Sequence, residues 1–187
     1  MEQVNMRSPR GFAASLILLF GILLAAIVAL VIGNGADAII HLTLGASFLL
    51  IALAVFDFKL PVWVALAASA ATGVLAIVFL LQGASDITHS VALAHLAYGL
   101  LGQRLEKMLG YVFLLWCLVL FLMDSEGKTK ILGAVVIVAV FSLELYSYGM
   151  TYLGSTAPAA LKLLYIMLFI WLLLESRKPP NTLNTID

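Results

Sequence analysis

One stretch near the N-terminus decides the fold: residues 12–32 read FAASLILLFGILLAAIVALVI, an apolar run without a charged residue. A helix needs about 20 apolar residues to cross the hydrocarbon core of a bilayer, and this run is long enough. Arg7 and Arg10 precede it, as basic residues do in a signal peptide, but the apolar region of such a peptide has only about 7–15 residues. We therefore expect an uncleaved first transmembrane helix.

The composition of the whole chain also indicates a membrane protein. Of its 187 residues, 64% are hydrophobic and 11% are charged, and the mean hydropathy is +1.13. An average soluble domain has about 25% charged residues. Ten basic residues balance ten acidic ones, so no basic excess attracts nucleic acid, and the lone Cys117 cannot form an internal disulfide. These values exclude a soluble enzyme, a nucleic-acid binder, a disordered chain and a disulfide scaffold. They predict an all-α, polytopic transmembrane helix bundle that forms a single domain over residues 1–187.

Further apolar runs predict five more spans, separated by turn-forming or charged residues such as Asp57, Pro61 and Pro158. Short tails are expected at residues 1–11 and 175–187. The six predicted spans are residues 12–32, 38–56, 62–81, 105–123, 131–152 and 158–174.

The stretch 87–102 is ambiguous, because histidines and glycines interrupt its short apolar core. If it crosses the membrane, the protein has seven spans. If it does not, residues 83–104 form an outer connection that contains an interfacial or re-entrant helix. In a third arrangement, one long helix starts near Ser85, lies along the surface and turns into the fourth span near Gly102.

Basic residues arbitrate between these arrangements, because cytoplasmic segments carry an excess of Lys and Arg. Seven spans would move Lys128, Lys130, Arg177 and Lys178 to the outside. Six spans keep seven basic residues on the cytoplasmic side and leave three outside or near the outer face. We therefore expect a multi-pass protein of a cell (inner) membrane with six spans and both termini in the cytoplasm. The seven cytoplasmic basic residues would be Arg7, Arg10, Lys59, Lys128, Lys130, Arg177 and Lys178.

Two ladders of small residues predict where helices pack closely. Membrane helices associate through small side chains that let their backbones approach. The first span carries small residues at four-residue intervals, and the third span has the same pattern. The members are Gly21, Ala25, Ala29 and Gly33 in the first span and Ala65, Ser69 and Gly73 in the third.

A polar pocket is predicted at the outer boundary, because an ionisable group inside a bilayer is costly and is a functional candidate. Asp37 lies four residues before His41 on the same helix face, where its carboxylate can orient the imidazole. Glu144 and Lys162 lie at similar depth on the two arms of the last hairpin. They form a structural pair, or Glu144 handles a proton or cation, or both extend to the interface. His95 completes the candidate pocket.

No catalytic or nucleotide-binding motif accompanies these residues, so we expect a protein without catalytic activity. The first functional hypothesis is an accessory or scaffold component of the membrane, whose partners are the bilayer and a membrane protein or a second copy. The second is a small transporter or channel component that uses Glu144 and the outward-facing pocket. The third is a redox protein that binds b-type haem through His41 and His95. No cofactor is predicted by the first two hypotheses, and a divalent metal in the pocket is a further alternative.

Overall fold

The computed structural model of this chain describes residues 6–32, 35–125, 127–149 and 156–179. These residues are mostly helical and include no strand, so the all-α prediction is confirmed for them. A single 3₁₀ turn, Val55–Asp57, follows the second helix. The helices are α1 (Pro9–Val31), α2 (Ala36–Ala54), α3 (Val62–Thr88), α4 (Val91–Asp124), α5 (Lys128–Gly149) and α6 (Thr156–Arg177).

The first helix begins where local chemistry favours a helix start. The Ser8 hydroxyl accepts a hydrogen bond from the Gly11 backbone N–H at 2.9 Å, and Pro9 occupies the first turn. A serine cap satisfies one of the backbone donors that a helix N-terminus leaves open, and proline lacks the donor that would be wasted there. The sequence therefore fixes the start of α1 two residues after Arg7.

Three of the described helices are long and apolar enough to cross a membrane. They are α1, α2 together with its 3₁₀ turn, and α3, and a shorter apolar segment, Leu109–Met123, lies within α4. The third helix has 27 residues, or roughly 40 Å at about 1.5 Å per residue. These lengths agree with the prediction of a helical membrane protein.

The separate helix expected around 87–102 does not exist. Residues 87–88 end α3, and residues 91–102 are the first part of α4, a continuous helix of 34 residues. His89 has a left-handed backbone (φ 52°) that ends α3, and the Ser90 hydroxyl accepts from the Leu93 N–H at 3.4 Å. The chain thus reverses between two consecutive helices. The fourth helix runs through Gly102 as in the third arrangement, although it starts at Val91 and not near Ser85, and its apolar segment Leu109–Met123 lies within the predicted span 105–123.

The second helix packs between α1 and α3, α3 packs on α4, and α6 closes against α1. Aromatic rings fill the centre. Phe48 of α2 meets Phe113 of α4 edge-on with ring centroids 5.2 Å apart, and it meets Phe169 of α6 at 6.2 Å. Trp116 and Trp171 are both almost fully buried. Burial of these rings brings helices from both halves of the chain into one core.

Only part of the small-residue ladder of the first span packs against a neighbouring helix. Gly21 and Ala25 are buried, and a Cβ atom on Gly21 would overlap the side chain of Thr43 on α2. Ala29 is exposed, because the antiparallel pairing of Gly21 with Thr43 puts Ala29 level with the start of α2, where little of that helix remains to cover it. Gly33 lies outside the described residues.

The ladder of the third span differs more from the expectation. Ala65 is buried, and the Ser69 hydroxyl donates to the Ala52 carbonyl at 2.8 Å. Gly73 makes no close approach, since a Cβ atom there would meet nothing within 4 Å. The reason is that α3 approaches α2 most closely at two other glycines.

Those two glycines set the register of α2 against α3. A Cβ atom on Gly45 would lie 2.7 Å from Cγ of Leu80, and one on Gly83 would lie 2.7 Å from Cγ of Leu42. Each contact also reaches the backbone nitrogen of the leucine, at 3.0 and 3.1 Å. Because both glycines lack a side chain, the two helices approach each other closely at two levels. This register determines which polar residues meet further along the hairpin.

Candidate functional site

A histidine–aspartate pair lies at the end of the bundle where α2 starts and α3 ends. His41 Nδ1 lies 2.6 Å from Asp86 Oδ2, and both side chains are about one-third exposed. The pair follows from the helix register, because Gly83 packs against Leu42 and the next turn of α3 brings Asp86 beside His41. A carboxylate at this distance orients the imidazole.

The partner of His41 is thus not the one that the sequence suggested. Asp37 lies four residues before His41 and was expected to orient it, but the hydrogen bond goes to Asp86, which is 45 residues away in sequence. Asp37 is exposed in the first turn of α2, where its charge complements the partial positive charge of the helix N-terminus. Asp37 forms no hydrogen bond or ion pair with another residue among those that the structure describes.

Two cavities adjoin this pair. The first, which we call the polar cavity, has a volume of about 460 Å³ and lies between the start of α2 and the turn that joins α3 to α4. Asp37 and Asp86 line it, and the turn contributes His89. The remaining residues of its lining are Gly35, Ala38, Ser85, Ser90, Val91 and Ala94.

The second, which we call the aromatic cavity, has a volume of about 590 Å³ and lies between α1, α2, α3, α4 and α6. Asp37 and His41 line its polar end, and Asp37 is common to both cavities. Phe79 stacks with His41 at a centroid distance of 6.2 Å and with Phe48 at 5.8 Å, so aromatic rings continue from the pair into the bundle. The aromatic cavity therefore joins an apolar interior to a charged end.

Of the other predicted pocket residues, His95 alone has a side chain that the structure describes. His95 is exposed on α4 and is not part of either lining. The side chains of Glu144 and Lys162 lie outside the described part of the chain, so their pairing stays a prediction. Among the described side chains, no group of three His, Cys, Asp or Glu residues is arranged to hold a metal ion.

A buried carboxylate lies at the opposite end of the bundle. It belongs to Glu175, which the sequence analysis assigned to the short tail 175–187. Glu175 is fully buried. Its Oε1 accepts hydrogen bonds from the hydroxyls of Ser125 at 2.6 Å and Thr129 at 2.7 Å. Lys178 Nζ lies 2.8 Å from both carboxylate oxygens, and Arg7 Nη1 lies 3.7 Å from Oε2. We call these five residues the Glu175 cluster.

The Glu175 cluster joins both ends of the chain. The Arg7 N–H donates to the Lys178 carbonyl at 2.7 Å, and the Ser8 N–H donates to the Ser176 carbonyl at 3.1 Å. The Ser8 hydroxyl also donates to Asp57 Oδ2 at 2.8 Å, which ties the end of α2 to the same region. The guanidinium of Arg7 lies over the ring of Phe58, 5.4 Å from its centroid. One sequence signal for this arrangement was available: the Ser8-Pro9 helix start places Arg7 directly before the first residue of α1.

The architecture defines a class: an all-helical protein with apolar helices of membrane-spanning length. No protein-family model matches the chain, no curated protein is significantly similar to it, and no solved structure matches it. Conclusions on function therefore depend on the geometry of the two ends of the bundle.

Proposed function

We propose that this chain is an integral membrane protein with six spans that serves as a non-catalytic accessory or scaffold component of a cell (inner) membrane. The observation that carries the proposal is the pair of backbone hydrogen bonds between the N-terminal segment and the end of α6. Two chain ends that lie together at one end of a bundle require an even number of crossings. The basic residues near that end favour the cytoplasmic side for both termini.

Helix lengths support six crossings rather than fewer. The fifth and sixth helices have 22 residues each, or roughly 33 Å at about 1.5 Å per residue. This length matches the hydrocarbon thickness of about 30 Å. The fourth helix is longer, and its apolar part, Leu109–Met123, is preceded by a more polar segment.

The Glu175 cluster supports a structural role. Its buried carboxylate connects the N-terminal segment, the start of α5 and the end of α6 through hydrogen bonds from Ser125, Thr129 and Lys178 and an ion pair with Arg7. A buried carboxylate with these partners fixes the helix ends against each other. Such a rigid bundle suits an accessory component that packs in the bilayer against a membrane-protein partner or a second copy.

The topology is tested by cysteine labelling in a Cys117→Ala background, where no other cysteine remains. Thr88→Cys and Lys128→Cys change exposed positions at opposite ends of the bundle. In intact cells, we expect a membrane-impermeant maleimide to label Thr88→Cys at once and Lys128→Cys only after permeabilisation. Labelling of both variants from outside, or the reverse order, would contradict the proposed orientation.

Transport is the second candidate function, and the two cavities beside His41 and Asp86 favour it. Proton or cation flux is measured in proteoliposomes that contain the wild-type protein, an Asp86→Asn variant or a Glu144→Gln variant. The accessory role predicts flux equal to that of empty liposomes for all three. Flux in the wild type that either variant abolishes, with folding intact, would replace the accessory role by transport.

A further inference from the structure

The aromatic cavity has the size and lining of a ligand site. Its volume of about 590 Å³ falls within the range of roughly 300–1,000 Å³ that is typical of small-molecule pockets. Phe48, Phe79, Phe113 and Phe169 form much of its wall, together with aliphatic side chains of α1, α2 and α3. A space with this lining favours an apolar body over water, because water needs several polar partners to occupy a cavity.

The polar end of the cavity carries a negative charge. Asp37 is the acidic residue of its lining, whereas Asp86, 2.6 Å from His41, lines the polar cavity. Asp37 lines both cavities and has no hydrogen-bonding or ionic partner among the described residues. A group bound beside Asp37 is therefore favoured when it is positively charged and donates a hydrogen bond.

The distance between the two ends fits an elongated molecule. Asp37 and Phe48 lie on the same helix, eleven residues apart, which is roughly 16 Å at about 1.5 Å per residue. Tyr111 and Tyr165 also line the cavity, and the face of a tyrosine ring attracts a cation. The lining of the cavity thus changes along one direction, from the Asp37 carboxylate at the start of α2 to phenylalanines in the core.

We propose that the aromatic cavity binds a lipophilic cation, an ammonium group on an apolar chain or ring, with its charge at Asp37 and its apolar body among the phenylalanines. His41, which Asp86 orients at 2.6 Å, lines the same end of the cavity. The accessory role proposed above requires no such ligand, so loss of this inference leaves the topology and the accessory role intact.

The probe for the test is octylamine, and octanol and octanoate are its matched controls, because the three share one chain and differ in head-group charge. Isothermal titration of the purified full chain in detergent micelles should give saturable binding at one site for octylamine. Binding of octanol and octanoate should be at least tenfold weaker. Equal affinity for octanol or octanoate would overturn the assignment of a cation.

Variants locate the site. We expect Asp37→Asn to weaken octylamine binding at least tenfold, and Asp37→Glu to restore it because the carboxylate is retained. Gly110 lines the cavity, and a Cβ atom there would meet nothing within 4 Å, so Gly110→Leu should fill the space and abolish binding. Gly99→Leu is the control, since Gly99 lies on the same helix in equally open space but outside the lining.

Two results would overturn the proposal. Absence of saturable octylamine binding to the wild-type chain would do so directly. Unchanged binding in both Asp37→Asn and Gly110→Leu would mean that octylamine partitions only into the micelle. The melting temperature of each variant is measured in parallel, and Asp37→Glu keeps the test of Asp37 valid even if Asp37→Asn unfolds.

Discussion

Replacing Glu175 with alanine should lower the free energy of unfolding by about 3–5 kcal/mol, the usual cost of removing one partner from a buried ion pair. The carboxylate is fully buried and accepts hydrogen bonds from Ser125 and Thr129. Its loss leaves both hydroxyls without their acceptor and leaves Arg7, whose side chain is 4% exposed, without this counter-charge. The free energy lost is large because Ser125 and Arg7, two of the groups left behind, are buried away from water.

The measurement is thermal unfolding of the purified protein in detergent, with Arg177→Ala as the control. Arg177 lies two residues from Glu175 and is exposed, so its removal changes the net charge by one unit, of opposite sign, without opening the cluster. Glu175→Gln should fall between the two, because the amide oxygen still accepts a hydrogen bond but carries no charge. A melting temperature for Glu175→Ala equal to that of Arg177→Ala would show that the cluster does not stabilise the fold.

The helical class could be predicted from the sequence, because long apolar runs leave few alternatives. Five of the predicted spans overlap helices whose ends lie within a few residues of expectation, except that α3 continues seven residues beyond 81. Pro61 and the Ser8-Pro9 pair mark the starts of helices. A helix start depends on residues that are neighbours in sequence, so it can be recognised from the sequence. A single sequence contains local signals of this kind, and the prediction of the helices depends on them.

The length of α4 could not be predicted in the same way. The prediction relied on hydropathy, and the residues from His95 to Lys107 lower it. Hydropathy reports how well a segment suits lipid, whereas helix formation depends on backbone propensity, and Leu, Arg, Glu, Lys and Met are all good helix formers. No proline interrupts Val91–Asp124, so the helix continues through a segment that is not apolar.

The predictions of polar contacts were wrong for a different reason. A four-residue spacing suggested Asp37 as the partner of His41, because spacing within one helix can be read from sequence. Asp86 is the partner because of the register between two helices, and this register depends on close packing at Gly45 and Gly83. Glu175 was assigned to a tail because it follows an apolar run, and only the folded chain brings it to Ser125 and Arg7.

The second large expected effect on stability concerns the packing of α2 on α3. Two glycines, Gly45 and Gly73, should respond in opposite directions when each is replaced by alanine. Gly45→Ala should destabilise the protein by about 1–3 kcal/mol, the usual cost of overpacking a close contact. The added Cβ atom would lie 2.7 Å from Cγ of Leu80 and 3.0 Å from its backbone nitrogen. A side chain can change rotamer, but a backbone atom can move away only if the two helices separate.

Gly73→Ala is the matched control, because Gly73 lies within α3 and a Cβ atom there would meet nothing within 4 Å. Alanine is favoured over glycine in a helix interior by about 0.5–1 kcal/mol, so this variant should be more stable than the wild type. Thermal unfolding of both variants in the same detergent measures the difference. Equal destabilisation at both positions would mean that the small-residue ladder of the third span packs as the sequence suggested. Destabilisation at Gly45 alone would assign the close approach to the pair Gly45 and Leu80, the register that also brings Asp86 to His41.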